Sequence, residues 1–123
     1  MTKVFADTFY FLALLNKHDE AHPKALSYSN LIDKLVTTEW VLTELADGLA
    51  SSRHRKMFVQ TRQELLADID AQVIPFEKQL YDEGIQLFHS RLDKQWSLTD
   101  CISIGCDRHS QMPGRQFGES RVG

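Results

Sequence analysis

The sequence predicts an α/β domain with a central parallel sheet and helices on both of its faces. Short apolar runs alternate with longer segments of helical periodicity, which is the pattern of strand–helix–strand units. The chain has 123 residues, a length that suits a single domain. In open sheets of this kind, sites form beyond the carboxyl ends of the strands, so acidic residues near those ends are candidates for function.

Three short strands are predicted, at residues 3–7, 35–38 and 72–75. Helices are predicted at 8–16, 19–34, 39–50, 57–70 and 77–92, and a further helix begins at Ser97 and runs to Ile104. Pro23 confines the regular part of the second helix to the residues after it. The basic run 53–56 is predicted to be a short connection between helices. The helix at 77–92 has the clearest apolar face, formed by Leu80, Tyr81, Gly84, Ile85, Phe88 and Leu92.

Composition and charge narrow the functional classes. Hydrophobic residues make up 42% of the chain and charged residues 25%, as in soluble globular proteins. No apolar run approaches the roughly 18–20 residues that a membrane span needs, and no signal peptide precedes the first strand, so we expect a cytoplasmic protein. The net charge of −3 argues against general electrostatic binding of nucleic acid, so any RNA contact must be local or assisted by a cation.

Two acidic residues lie where a helix begins, and each has a structural and a functional interpretation. Asp7 ends the first strand and opens the first helix, where Asp commonly caps free backbone amides. Asp100 is the fourth residue of a Ser-Leu-Thr-Asp sequence that has the form of a capping box starting at Ser97. A helix start also presents a carboxylate, and a hydroxyl such as that of Thr99, to a cleft.

Glu44 is placed among apolar neighbours of the third helix. On a helical wheel it lies between Trp40, Val41, Leu45 and Gly48, which predicts that its carboxylate faces inward. A buried charge needs a cation, a metal ion or a proton. The alternatives are a partner Arg or Lys, or a position at the solvent-exposed edge of the stripe.

Taken together, Asp7, Glu44 and Asp100 favour a divalent metal site. Like charges held close together repel one another unless a cation neutralises them. Hard oxygen ligands select Mg²⁺, or alternatively Mn²⁺, over zinc. Water coordinated to such an ion becomes a better nucleophile toward phosphorus, which is the chemistry of a phosphodiesterase. A phosphatase with Asp7 as nucleophile is disfavoured because Phe9 stands where a second Asp is usual.

Three blocks of the sequence resemble the PIN-domain family, specifically bacterial toxins of the VapC type. They are Val4-Phe5-Ala6-Asp7-Thr8, then residues 38–45, Thr-Glu-Trp-Val-Leu-Thr-Glu-Leu, and residues 93–101, Asp-Lys-Gln-Trp-Ser-Leu-Thr-Asp-Cys. The third block is the most specific, and the resemblance covers roughly residues 3–104. It implies a three-layer α/β/α domain at 1–104.

The resemblance also implies a function. Asp7, Glu44 and Asp100 correspond to three of the four acidic metal-site positions of the family, and Thr99 to the polar residue beside the third acid. Such proteins are Mg²⁺-dependent endoribonuclease toxins that cleave RNA. A cognate antitoxin inhibits them, and they usually form homodimers. The alternative is a catalytically impaired binding module that associates with an antitoxin but does not cleave RNA.

The resemblance stops after Ile104, and residues 105–123 form an atypical segment that we predict to be a disordered tail. The family would continue with a longer helix, a fourth strand and a further acid, whereas this tail is rich in Gly and Arg. A change of reading frame would explain the tail. A deletion that brought Asp107, Arg108 and His109 close to Asp100 is the other explanation. Either way we expect the C-terminal strand or strands to be missing.

Several other features have a structural explanation that we favour. The basic run 53–56 could contact RNA phosphates but is more typical of a solvated turn. Arg91 and Lys94 could help to neutralise the substrate, and surface solubility is an equally plausible role. Cys101 and Cys106 are predicted to be buried free thiols rather than zinc ligands. For the aromatic residues that could stack on bases, helical spacing favours core packing or a groove that faces the antitoxin; they are Phe9, Tyr10, Phe11 and Trp40.

Overall fold

A computed structural model describes residues 3–110, with side chains described through Asp107. It contains three strands, β1 (Lys3–Phe5), β2 (Lys34–Thr38) and β3 (Ala71–Ile74). The six helices are α1 (Thr8–Leu15), α2 (His22–Ser29), α3 (Glu39–Gly48), α4 (Ser52–Ala67), α5 (Lys78–Ser90) and α6 (Leu98–Ser110). The predicted α/β class and the alternation of strands and helices are confirmed.

The three strands form a parallel sheet in which β2 lies between β1 and β3. Lys3 pairs with Lys34, and Thr38 pairs with Ile74 at the other end of the sheet. Because all strands run in the same direction, their carboxyl ends meet at one edge, which we call the carboxyl edge. Within residues 3–110 no fourth strand follows α6, and the predicted tail at 111–123 lies outside the described residues.

The helices form two groups around this sheet. Helix α1 packs against α2 and α3, and α3 packs against α4. The connections from β1 to β2 and from β2 to β3 move across the sheet in the same sense, and right-handed crossovers therefore put α1–α4 on one face. Helices α5 and α6 pack along each other and form the third layer. One core cluster joins the sheet to both groups; it includes Phe5, Val36, Leu42, Leu45, Ile102 and Cys106.

Two predicted helix boundaries are wrong. The helix predicted to begin at residue 57 begins at Ser52, and the helix predicted to end at residue 34 ends at Ser29, because residues 34–38 form β2. The basic run 53–56 is not a connection but part of the first turns of α4, with Ser51 at the N-cap position. Arg and Lys are good helix formers, and their charged groups stay exposed there. Helix α2 covers only His22–Ser29, and Pro23 lies in its first turn, where its missing amide costs nothing.

The predicted apolar face of α5 is only partly used. Gly84 is buried, whereas Tyr81, Ile85 and Phe88 are exposed, and Leu92 lies beyond the helix end with 83% of its surface exposed. Helix α6 approaches so closely at Gly84 that an added Cβ would meet the Cα of Ile102 at 3.1 Å and its backbone nitrogen at 3.2 Å. The contact between the two helices is therefore made through a small residue, and the bulky side chains on its flanks remain at the surface.

Helix α6 continues through Gly105 to Ser110, past the expected domain boundary at residue 104. Cys106 is buried in this continuation and belongs to the core cluster. The buried thiols predicted for Cys101 and Cys106 are confirmed. Burial and the negative charges of Glu77 and Glu83 raise the pKa of Cys106 to about 11. Burial and the charge of Asp100 also raise the pKa of Cys101.

We expect neither thiol to react with a disulfide reagent in the native protein at about pH 8, because both are buried and protonated there. Spectrophotometric titration with and without denaturant tests this. Both thiols should react only after unfolding. Rapid reaction of one thiol in the native protein would show that α6 does not pack as described.

Candidate active site

Asp7 lies at the carboxyl edge directly after β1 and is almost fully buried, with 3% of its surface exposed. Its Oδ1 accepts a hydrogen bond of 3.0 Å from the backbone amide of Tyr10, so the predicted N-cap role is confirmed. The preceding Ala6 is held by two bonds to β2. Its amide donates to the carbonyl of Val36 at 2.8 Å, and its carbonyl accepts from Thr37 Oγ1 at 3.0 Å. These hydrogen bonds to β2 fix the backbone from which the Asp7 side chain extends.

Thr8 is a candidate residue that the sequence interpretation passed over. Its side chain is buried beside Asp7, and its Oγ1 has no hydrogen-bond partner among the described residues. Buried hydroxyls nearly always have a partner, so this oxygen is suited to a water molecule or a bound ligand. The only signal in the sequence was its position directly after Asp7.

Asp100 lies in the first turn of α6 with 6% of its surface exposed. The predicted capping box is confirmed. Ser97 Oγ accepts from the Asp100 amide at 3.0 Å, and Asp100 Oδ2 accepts from the Ser97 amide at 3.1 Å. The next turn of α6 fixes this position, because Ile102 packs into the core and against Gly84. Thr99 is half-buried next to Asp100.

Glu44 lies in the second turn of α3 and is half-buried rather than enclosed. Val41 and Leu45 take the fully buried positions on either side of it. The carboxylate is therefore at the margin of the apolar stripe, which was the alternative to the predicted inward orientation. A group in this position needs no buried counter-charge.

The described side chains contain no group of three His, Cys, Asp or Glu residues placed to hold a metal ion together. Asp7, Glu44 and Asp100 therefore do not form a three-ligand group of this kind. The donor type nevertheless fits the expected ion, since two of the three are buried carboxylates. Magnesium is commonly bound by only one or two protein carboxylates, with water and substrate phosphate completing its coordination.

A further acid, at the carboxyl edge after β2, has a cation partner. Glu39, the first residue of α3, accepts two hydrogen bonds from the guanidinium of Arg62, at 3.1 Å from Nε and 2.5 Å from Nη2. The Glu39 carboxylate raises the pKa of Arg62. This pair links α3 to α4 and compensates the charge of Glu39, so Glu39 is not a candidate metal ligand.

Two groups of aromatic side chains are also candidates for binding. Trp40, Phe76 and Tyr81 form a cluster beyond the ends of β2 and β3, which we call the aromatic pocket. Trp96, before α6, is half-buried under the Arg91 guanidinium at 5.2 Å from its ring centroid. Lys94 Nζ lies at 5.8 Å from the same ring. Arg91 also pairs with Asp93 at 3.0 Å and holds the pKa of that carboxyl at about 2.

The layers, the parallel sheet and the acids at its carboxyl edge define a PIN-like α/β/α domain, which is the fold expected from the sequence. The crystal structure of Mycobacterium tuberculosis VapC20, a toxin that cleaves the sarcin-ricin loop, matches this chain with a TM-score of 0.79. The match covers 89% of this chain and 84% of that one at 19% sequence identity. At this identity the likeness establishes the fold and leaves the chemistry to the residues.

No protein-family model matches the sequence, and no curated protein matches it either. Among the described helices, none is both long enough and apolar enough to cross a membrane.

Proposed function

We propose that the protein is an endoribonuclease toxin that hydrolyses RNA with the help of Mg²⁺, or alternatively Mn²⁺. The observation that carries the proposal is the burial of two carboxylates, Asp7 after β1 and Asp100 at the start of α6, in a PIN-like fold. Taking an ionised carboxylate out of water costs several kcal/mol unless a cation or hydrogen bonds compensate it. Each of these carboxylates accepts a hydrogen bond from a backbone amide, and a divalent ion would compensate their negative charge further.

In this proposal the buried Asp7 and Asp100 hold the ion directly, and the half-buried Thr99 contacts substrate beside Asp100. The bound ion would lower the pKa of a coordinated water and neutralise charge on the phosphate. Asp7 and Asp100 have fixed carboxylates, because each is tied to a backbone amide of its own helix. Glu44 is half-buried, and in this proposal it would contact the ion through the attacking water that it orients.

We further propose that a cognate antitoxin binds and inhibits the protein, as the resemblance to VapC-type toxins implies. The chain carries a net charge of −3, which suits a basic partner peptide. The resemblance to VapC-type toxins also implies a homodimer.

Incubation of purified protein with single-stranded and loop-containing RNA tests the proposed function. We expect cleavage in Mg²⁺ or Mn²⁺ that stops when EDTA is added, because the attacking water depends on the ion. Cleavage that persists in EDTA would contradict the metal role. Absence of cleavage with every divalent ion, together with binding of an antitoxin, would identify the binding module instead.

A further inference from the structure

The aromatic pocket is an open cavity of about 260 Å³ at the carboxyl edge. Its walls are Trp40, Phe76 and Tyr81, with Glu77 and Lys78 between them. The rings of Trp40 and Tyr81 are nearly parallel, with an angle of 12° and centroids 6.5 Å apart. Phe76 meets Trp40 edge-to-face at 85° and 5.2 Å. The cavity therefore has flat aromatic walls and charged groups at its rim.

Two of these rings, those of Phe76 and Tyr81, lie at the protein surface. Phe76 is 60% exposed and Tyr81 is 41% exposed, whereas Phe5 and Val36 in the sheet are fully buried. Phe76 follows β3 directly after Pro75, and Trp40 lies in the first turn of α3. Exposed aromatic groups clustered around a cavity are typical of a binding site rather than of core packing.

From these observations we infer that the aromatic pocket is a subsite for an unpaired nucleobase of the RNA substrate. Every base offers a flat π-face that stacks on aromatic side chains, and single-stranded nucleic acid is commonly bound in this way. A duplex keeps its bases stacked inside and cannot offer one to the pocket. The inference rests on the proposed ribonuclease function and assigns a place in the fold to one base of its substrate.

The charged residues at the rim fit the rest of a nucleotide. Lys78 is largely exposed, and its only described salt bridge is the exposed one to Asp82 at 2.6 Å on the same helix. Such an exposed pair is weak, so Lys78 is able to turn to a phosphate. Glu77 offers a carboxylate that accepts hydrogen bonds from the exocyclic amino group of a base. The pocket thus matches a base together with its phosphate.

The position of the pocket relative to Asp7 agrees with this assignment. Asp7 follows β1 and Phe76 follows β3, and these strands lie on either side of β2. Two strand spacings amount to about 10 Å. That separation corresponds to about three nucleotides at the ~3.4 Å rise of a stacked strand, and to fewer in an extended one. A base in the pocket would therefore belong to a nucleotide close to the one that is cleaved.

Binding of a labelled 2′-O-methyl single-stranded oligonucleotide containing all four bases tests the inference. Fluorescence anisotropy in EDTA measures affinity without cleavage. We expect Phe76→Ala and Tyr81→Ala each to weaken binding by about 5- to 150-fold, the range for loss of one stacked base. Phe88→Ala is the matched control, because Phe88 is exposed on α5, as Tyr81 is, but does not line the pocket. The Phe88→Ala variant should bind the oligonucleotide with the same affinity as the unchanged protein.

Unchanged affinity of both pocket variants would overturn the inference, and so would equal weakening by Phe88→Ala. A change in elution volume of the protein alone, with oligonucleotide affinity unaltered, would also overturn it, because the rings would then cover a second copy of the chain. Thermal unfolding of each variant verifies that it is folded. Cleavage of RNA by the unchanged protein is scored separately, so failure of the subsite and failure of the nuclease function give different results.

Discussion

Replacement of Asp7 by Asn is expected to lower the rate of RNA cleavage by about 10²- to 10³-fold, since a metal ion supplies several kcal/mol of transition-state stabilisation. The substitution removes one ligand charge but keeps the shape of the side chain. Asn caps helices about as well as Asp, so the hydrogen bond to the Tyr10 amide should remain and stability should change little. Single-turnover cleavage and thermal unfolding measure the two effects separately.

Asp68→Asn is the matched control for this experiment. Asp68 also accepts a backbone hydrogen bond, from Asp70 at 2.8 Å, but it precedes β3 at the opposite end of the sheet. We expect cleavage by this variant to equal that of the unchanged protein. Full activity of Asp7→Asn would mean that Asp7 is a helix cap and nothing more, and the nuclease proposal would lose its principal residue.

Gly84→Ala is expected to destabilise the protein by about 1–3 kcal/mol, the cost of overpacking a close contact. A methyl group at Gly84 would meet the side chain and the backbone of Ile102, and backbone cannot rotate away as a side chain can. Helix α6 must shift to make room. Because Asp100 lies in the first turn of that helix, we also expect cleavage to fall.

The control is Gly105→Ala on α6, where an added Cβ would meet no atom of the described residues within 4 Å apart from the backbone of its own helix. Since Gly in a helix costs about 0.5–1 kcal/mol relative to Ala, this variant should be slightly more stable. Denaturant unfolding gives both free energies, and the reaction rate of the Cys106 thiol reports on α6 directly. Equal stability of Gly84→Ala and the unchanged protein would show that the two helices do not pack so closely.

The sequence predicted the parts of the site that local chemistry dictates. An acid that ends a buried apolar run and opens a helix predicts an N-cap, and Asp7 is one. The spacing of Ser97 and Asp100 predicts a reciprocal pair of hydrogen bonds, which the structure contains. Both inferences needed only residues within one turn of helix. The assignment of these acids to a metal ion remains a proposal.

Features that depend on distant contacts were not predictable in the same way. The periodicity of α5 marks an apolar face, but it does not tell which part of that face meets another helix. The buried contact runs through Gly84 and leaves Tyr81 and Phe88 exposed. The aromatic pocket was missed for a related reason. Trp40 and Phe76 are far apart in the sequence and meet only because β2 and β3 are neighbours.

The order of the strands has a consequence for synthesis of the chain. Each strand of the sheet pairs with the one made just before it, from β1 to β2 to β3, so the sheet can grow in the direction in which the ribosome delivers it. Asp100 arrives only with α6, after the whole sheet. A nascent chain that has emerged as far as residue 90 therefore contains all three strands and Asp7 but lacks Asp100. Under the proposed function, a nascent chain would not cleave RNA before α6 has emerged from the ribosome.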